Sequence, residues 1–346
     1  MPFFPPPASA LQAARAALET AEVHRYVTDQ GLPSLRAALA QRLGHGIAAD
    51  DIVVTAGANH AFTLALTTLV DPGDEVILPA PYFTNHEMAV RALGATPIEA
   101  PSTDPVSFAV RWSDIAPHLT PRTKAVVLCN PSNPTGAALD AAEGARIVTE
   151  AAARGLVVVS DETYMHFVYE GAHWSAAAAP GWRQNVAVIG TFSKSFGMMG
   201  WRVGYLVADA AVCTQAVKVQ DAMIICAPVM AQLMAEAALR ESWDYPLTFH
   251  DELRARRRIL ADGLATIPGV TWTPTPAGMF AFARIAGCDD STQLSLDLLE
   301  HAHVVTIPGA VFGASGEGYL RLSYGYAGRG ELAEAAGRMK KYLGQR

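Results

Sequence analysis

The sequence has little charge and lacks the signals of several protein classes. Only 17% of its 346 residues are charged, the net charge is −7 and no basic tract occurs, which argues against a nucleic-acid-binding surface. No apolar stretch approaches the ~20 residues that span a bilayer, and the proline-rich N-terminus lacks the basic and apolar regions of a secretory signal. The four cysteines are widely spaced without a C-x-x-C pair, as in reduced proteins. We therefore expect a cytoplasmic protein with neither a membrane nor a nucleic-acid partner.

Missing motifs exclude two common enzyme classes. No G-x-G-x-x-G follows the first predicted strand, so the fingerprint of a nicotinamide dehydrogenase is absent. No G-x-S-x-G occurs, so a serine hydrolase built on a nucleophile elbow is excluded as well. The length exceeds the ~250 to 300 residues of a usual single core, which predicts two lobes packed together.

Apolar runs alternate with helical patterns through the first two thirds of the chain. Strands are predicted at 52–54, 75–78, 96–98, 125–128, 157–159, 186–189 and 203–207, with helices near 60–69, 84–93, 112–119 and 141–154. Continuous Val, Ile and Leu strands separated by helices are typical of a mostly parallel sheet that is covered on both faces. The sequence therefore predicts an α/β fold whose large domain holds a mostly parallel seven-stranded sheet flanked by helices. Ligands of such sheets bind at the carboxyl ends of the strands.

The pattern changes after about residue 235, which predicts a smaller α+β domain. A long helix is predicted over 250–267, strands near 270–284 and 318–323, and helices near 292–302 and 331–343. We predict a large cofactor-binding domain over 20–235 and a small domain over 236–346. The N-terminal segment 1–19, with a helix predicted over 8–20 and an apolar stripe of Leu11, Ala14 and Leu18, is expected to join the small domain.

Lys194 lies on a Ser/Gly-rich turn between two predicted buried strands. Hydroxyl groups at Thr191, Ser193 and Ser195 flank it, and Arg202 follows eight positions later. This pattern is typical of a Schiff-base lysine beside an anion site, and the alternative is a solvated loop lysine.

Three further polar clusters follow predicted strands of the same sheet. The segment Thr55-Ala-Gly-Ala-Asn59 forms a strand–turn–helix junction, whose backbone N–H groups can bind a phosphate. The segment Asn130-Pro-Ser-Asn-Pro-Thr-Gly136 is otherwise a turn-rich loop. Asp161 ends an apolar strand, where a carboxylate either needs a cationic partner or caps a helix.

These motifs resemble those of the class I/II aminotransferases, fold-type I pyridoxal-phosphate-dependent enzymes of the aspartate aminotransferase type. The resemblance rests on Thr-x-x-Lys with Gly-x-Arg-x-Gly around Lys194, on Asn-Pro-x-Asn-Pro-Thr-Gly, and on Tyr26 in Tyr-x-x-x-x-Gly-Leu-Pro-x-Leu-Arg. Five motifs occur in the order of the family, from about Tyr26 to the C-terminus.

The resemblance implies a site for pyridoxal 5'-phosphate, with Lys194 as the Schiff-base lysine and as general base and acid. In this family, Asp161 meets the pyridine nitrogen, while Asn133 and Tyr164 meet the 3-oxygen. Phe83 stacks on the ring, with Tyr82 as the alternative. The implied cofactor-binding residues are Ala58, Asn59, Phe83, Asn133, Asp161, Tyr164, Thr191, Ser193, Lys194 and Arg202, together with the partner subunit's Tyr26.

The resemblance also implies the substrates and the assembly. Arg321, with Asn133, would bind the substrate carboxylate, and Tyr26 would reach the cofactor phosphate of a neighbouring subunit in a homodimer. A surface arginine and an ordinary buried tyrosine are the alternatives for these two residues. The implied reaction moves an amino group from an L-amino acid to a 2-oxo acid. A lyase or synthase of the same fold, or a non-catalytic ligand-binding protein, are the alternative functions.

Overall fold

The structure, a computed structural model, describes residues 2–345. Two elements precede the sheet, and the chain then alternates strand and helix. In chain order the elements as far as the end of the sheet are α1 (Ala8–Ala17), α2 (Pro33–Leu43), β1 (Ile52–Thr55), α3 (Ala58–Leu69), β2 (Glu75–Ala80), α4 (Thr84–Ala92), β3 (Thr96–Pro101), α5 (Trp112–Ile115), β4 (Thr123–Cys129), α6 (Ala141–Ala152), β5 (Val157–Asp161), β6 (Val186–Thr191), α7 (Phe192–Ser195) and β7 (Gly204–Val207).

The seven strands form one sheet in the order β1–β7–β6–β5–β4–β2–β3. Strand β7 runs antiparallel to both of its neighbours, and all other pairs are parallel. Successive residues of one strand pack into different cores: Val158 belongs to the cluster on one face of the sheet and Val159 to the cluster on the other. Because both faces are covered, β5 and β6 are runs of Val, Ile and Ala that end in polar residues. The predicted fold class and all seven predicted strands are confirmed.

The remaining elements build the smaller lobe and its connection to the sheet. They are α8 (Ala210–Ile224), α9 (Val229–Glu241), α10 (His250–Ala265), β8 (Val270–Thr271), β9 (Phe280–Ile285), α11 (Ser291–Ala302), β10 (Ile307–Pro308), β11 (Tyr319–Ser323) and α12 (Arg329–Leu343). Strands β10–β11–β9–β8 form an antiparallel sheet. The strand predicted near 270–284 is in fact two strands, because Pro274 and Pro276 cannot donate ladder hydrogen bonds.

The packing of α1 and α9 bears on the division into domains. Helix α9 runs through residue 235, and Ala235 and Leu239 belong to a core cluster of the large sheet. Helix α1 packs on α9 through Ala10 and Ala14, while Leu11 and Leu18 of the predicted stripe are exposed. We propose a junction after Glu241, with α1 in the large domain.

The residues before α1 pack differently. Phe4 is buried in the small-lobe core, stacked on Phe249 with ring centroids 4.1 Å apart. The hydroxyl of Tyr245 donates to the carbonyl of Pro5 (2.9 Å). A Cβ at Gly197, three residues after Lys194, would lie 2.6 Å from the Phe4 carbonyl oxygen. The strip 2–7 therefore packs against the small lobe and also touches the turn that carries the lysine.

Within residues 2–345, no helix combines the length and the apolarity needed to cross a membrane.

Candidate active site

A cavity of ≈ 390 Å³ opens at the carboxyl ends of the central strands. Cys129, Asp161 and Thr191, the last residues of β4, β5 and β6, form its floor. Eleven predicted site residues line it, namely Ala58, Asn59, Phe83, Asn133, Asp161, Tyr164, Thr191, Ser193, Lys194, Arg202 and Arg321. Tyr26 does not line this cavity and is 75% exposed. The structure thus brings together every predicted residue except the one expected from a partner.

Lys194 sits in the single-turn helix α7 at the end of β6. The Thr191 side chain caps this turn, because its Oγ1 accepts a hydrogen bond from the Ser193 backbone N–H (3.1 Å). Burial lowers the pKa of Lys194, and the positive charges of Arg202 and Arg321 lower it further. A lowered pKa increases the fraction of neutral amine at physiological pH, which is the nucleophilic form.

An anion cradle lies between β1 and Arg202. Arg202 has a left-handed backbone (φ +54°), and its guanidinium donates to the carbonyls of Met199 (2.7 Å) and Ala56 (3.3 Å). Gly57 has φ +91°, and a Cβ there would lie 2.3 Å from Arg202 Nη2. Helix α3 begins at the next residue and directs its free N-terminal amides to the same region of the cavity. The guanidinium and the helix end together suit a phosphate-like anion.

Asp161 is buried and held by two neighbours. Its Oδ2 lies 3.0 Å from His86 Nε2, and its Oδ1 accepts from the backbone N–H (3.0 Å) and the hydroxyl (2.6 Å) of Thr163. Burial raises the pKa of Asp161, but the hydrogen bond and charge of His86 and the Thr163 bonds outweigh it and leave the pKa below its ordinary value. The site therefore contains a carboxylate that stays ionised despite its burial.

Arg321 reaches the cavity from β11 of the small lobe. Its guanidinium lies between the rings of Phe280 (4.8 Å to the centroid) and Phe312 (5.1 Å). Its Nη1 donates to Asn133 Oδ1 (2.7 Å), whereas its Nε is buried and has no hydrogen-bond partner among residues 2–345. A planar cation with an unused donor is suited to a carboxylate.

Aromatic groups complete the walls. Phe83 lines the cavity and meets His86 edge-on (5.4 Å). Tyr82, the alternative, is absent from the lining and donates its hydroxyl to Glu87 (2.9 Å). Tyr164 packs edge-on against Phe280 (5.3 Å), and burial raises the pKa of its phenol.

Several residues of the site were missed in the sequence. His86 follows Phe83 by three positions in the first turn of α4, and that spacing places both on one helix face, which was an available signal. Thr163 follows Asp161 by two positions, a spacing typical of a local carboxylate–backbone bond. Phe280 and Phe312 carried no signal, because only the tertiary fold brings them to Arg321.

The cavity can bind two anions and holds an amine as well. Arg202 and the start of α3 serve one anion, Arg321 serves the other, and Lys194 lies in the cavity that both arginines line. An ionised Asp161 on the floor can stabilise a cationic group of a bound ring.

Comparison with known proteins agrees with this geometry. The family model for aminotransferase class I and II matches residues 2–339. An aspartate aminotransferase of Pyrococcus abyssi is 34% identical over 99% of this chain and 90% of its own length. An arginine–pyruvate transaminase of Pseudomonas aeruginosa is 33% identical over 93% of this chain and 83% of its own length. The crystal structure of an aromatic aminotransferase from Pyrococcus horikoshii matches with a TM-score of 0.95 at 32% identity, covering 100% of this chain and 94% of that one.

Proposed function

This chain belongs to the class I and II aminotransferase family, and we propose that it moves an amino group from an L-amino acid to a 2-oxo acid with pyridoxal 5'-phosphate bound at Lys194. One observation carries this proposal: a lysine of lowered pKa shares a cavity with two arginines, each placed for a separate anion. Membership of the family supports the type of reaction, and the residues that line the cavity support the proposed roles in binding the cofactor and the substrate.

The residues present fit the proposed cofactor. Its phosphate matches the cradle of Arg202 and the start of α3, and Arg202 can lie against this junction because Gly57 has no Cβ. Asp161 matches a protonated pyridine nitrogen, and Phe83 offers a flat apolar face to the ring. Asn133 and Tyr164 line the same cavity and would bind the ring oxygen.

Each residue then has a definable task. The bound cofactor supplies an electron sink for the bond that is broken next to the substrate nitrogen. Asp161 would hold the proton on the ring nitrogen, which keeps that sink effective. Arg321 would bind the α-carboxylate, so that its unused Nε gains a partner. Lys194, once its amine is free, would take the α-proton and return it as general base and then acid.

A homodimer completes the proposal. Tyr26 is 75% exposed and lies outside the cavity of its own chain, which suits a side chain that serves a neighbouring site. Met223 and Ile224, at the end of α8, are 47% and 38% exposed and add apolar surface. We propose that this surface meets a second copy of the chain and that Tyr26 reaches the phosphate there.

Replacement of the lysine tests the proposal. Lys194→Ala should lose the cofactor that borohydride fixes covalently, as read by peptide mass spectrometry, and should lose turnover by at least about 1,000-fold. Lys218→Ala is the matched control, because that lysine lies exposed on α8 beside Gln215 and should change neither readout. Labelling of a different lysine in the wild type would overturn the assignment of Lys194.

A further inference from the structure

The charges of the cavity are fully used by the proposed reaction. Among the described residues that line it, the cations are Lys194, Arg202 and Arg321. If the proposed function holds, Arg202 binds the phosphate, Arg321 binds the α-carboxylate, and Lys194 must be neutral to take a proton. The lining carboxylate, Asp161, is already paired with His86. No lining cation in the described chain is left for a second substrate carboxylate.

The rest of the lining is uncharged and has a large apolar component. Besides Phe83, whose face is proposed for the cofactor ring, Met199 and Phe280 contribute apolar surface, while Asn85 and Thr163 are polar without charge. A carboxylate taken into such a wall loses its hydration without gaining an ion pair, which is costly. An aliphatic or aromatic side chain gains from the same surface.

From these observations we propose that the preferred substrates are L-amino acids with uncharged, mainly apolar side chains, together with the corresponding monocarboxylic 2-oxo acids. The proposal rests on the proposed function and narrows it, because both substrates of a transamination occupy the same cavity. Acidic donors such as aspartate and glutamate, and their oxo acids, are then poor substrates.

The surface that would face the partner carries an arginine that could bind a second substrate carboxylate. Arg25 precedes Tyr26 in the sequence and is exposed, so it would lie at the same proposed interface. Elsewhere this surface is apolar at Met223 and Ile224, and α8 is tied to the same segment by the Gln220 amide, which donates to the Asp29 carbonyl. Arg25→Ala is therefore included as a test variant.

Single-turnover reactions of the holoenzyme with individual donors test the inference. Leucine, methionine and phenylalanine should exceed aspartate and glutamate in the rate per concentration of donor by a factor on the order of 100. Equal or faster reaction of aspartate or glutamate overturns the inference while leaving the proposed function intact. Reaction with none of the donors instead removes the proposed function itself.

Binding gives a readout that is independent of turnover. Calorimetry of the holoenzyme should show that 4-methylpentanoate and 3-phenylpropionate bind at least about tenfold more tightly than succinate and glutarate. A preference for the dicarboxylates would show an unrecognised cation in the site and overturn the inference. The ratio should be unchanged in Arg25→Ala, and loss of dicarboxylate binding in that variant would identify Arg25 as that cation.

A positive charge added to the lining of the cavity tests whether charge balance causes the substrate preference. Asn85 lies in the first turn of α4 and lines the cavity, so Asn85→Lys supplies a fourth cation, and Asn85→Gln is the matched neutral control. The lysine variant should raise the reaction of aspartate relative to leucine about tenfold, and the glutamine variant should not. If both variants leave the ratio unchanged, charge balance does not set the preference and the inference fails.

Discussion

The carboxylate of Asp161 owes its charge to two side chains, and this dependence gives a prediction about pH. Burial favours the protonated acid, whereas the His86 and Thr163 bonds favour the anion. These bonds hold the pKa of Asp161 below its ordinary value. The ionised carboxylate therefore stabilises the fold fully when the pH is above the ordinary pKa, and this stabilisation is lost as the pH falls through the lowered pKa.

His86→Phe removes one of these bonds and keeps a ring stacked on Phe62, now 4.3 Å from His86. The pKa of Asp161 should then rise, so the acid limb of the kcat profile should move to higher pH and activity at pH 6 should fall about tenfold. Thr163→Val should move the limb in the same direction, and His301→Phe, on the exposed face of α11, should not move it. If the acid limb of the kcat profile stays in place in both site variants, the ionisation of Asp161 does not control kcat.

Arg321 and Arg284 offer a comparison between two arginines of the small lobe. Both stack on aromatic rings, Arg321 on Phe280 and Phe312, and Arg284 on Tyr319 (5.5 Å), but Arg284 does not line the cavity. Arg321→Ala should lower kcat/KM for the amino acid about 100-fold, since an ion-paired fork is worth a few kcal/mol, with the cofactor still bound. Arg284→Ala should leave kcat/KM within about twofold. Loss of cofactor from Arg321→Ala, with amino-acid affinity intact, would reverse the roles of Arg321 and Arg202.

At the scale of elements, the junction of β1 and α3 depends on one glycine. Gly57→Ala adds both backbone strain, because φ is +91°, and a clash with Arg202. Gly73→Ala adds similar strain at φ +94°, but a Cβ there meets nothing within 4 Å. Both variants should lose about 1 to 2 kcal/mol of stability in thermal unfolding. Only Gly57→Ala should also weaken cofactor binding, by at least about tenfold in a titration of the apo-protein; equal cofactor affinity in the two variants would show that Arg202 can move aside without cost.

The elements of the large sheet were predictable because their signal is local. The central strands β5 and β6 are short runs of Val, Ile or Ala that two covered faces require, and the polar residues that end them follow directly. The aromatic pair around Arg321 was not predictable, since Phe280 and Phe312 belong to different elements of the small lobe. Of the stripe predicted for the first helix, Ala14 is buried but Leu11 and Leu18 are exposed: Ala10 and Ala14 let α9 approach closely, which no hydrophobicity pattern favours over Leu11. Local chemistry therefore identified the groups, and tertiary packing determined their partners.

At the scale of the whole molecule, shared sites predict complementation between two inactive variants. A Lys194→Ala subunit keeps Tyr26, and a Tyr26→Ala subunit keeps Lys194. Random reassembly of equal amounts makes about half of the dimers mixed, each with one intact site, so the mixture should recover roughly a quarter of wild-type activity. The control is a mixture of Lys194→Ala with the double variant Lys194→Ala/Tyr26→Ala, which should recover none. No recovery in the first mixture, with mixed dimers verified by native mass spectrometry, would show that Tyr26 does not serve the neighbouring site.

The position of β1 in the sheet also constrains when the protein can fold during its own synthesis. In the described part of the chain β1 is an edge strand that pairs with β7, so Ile52–Thr55 leaves the ribosome about 150 residues before its neighbour Gly204–Val207 exists. Phe4 gains its stacking partner later still, because Phe249 is synthesised after β7. Nascent chains halted before β7 should therefore be open to protease near β1, whereas chains extended beyond residue 260 should be protected. The lysine turn lies between β6 and β7, so it takes its final shape only when the first strand of the chain is also in place.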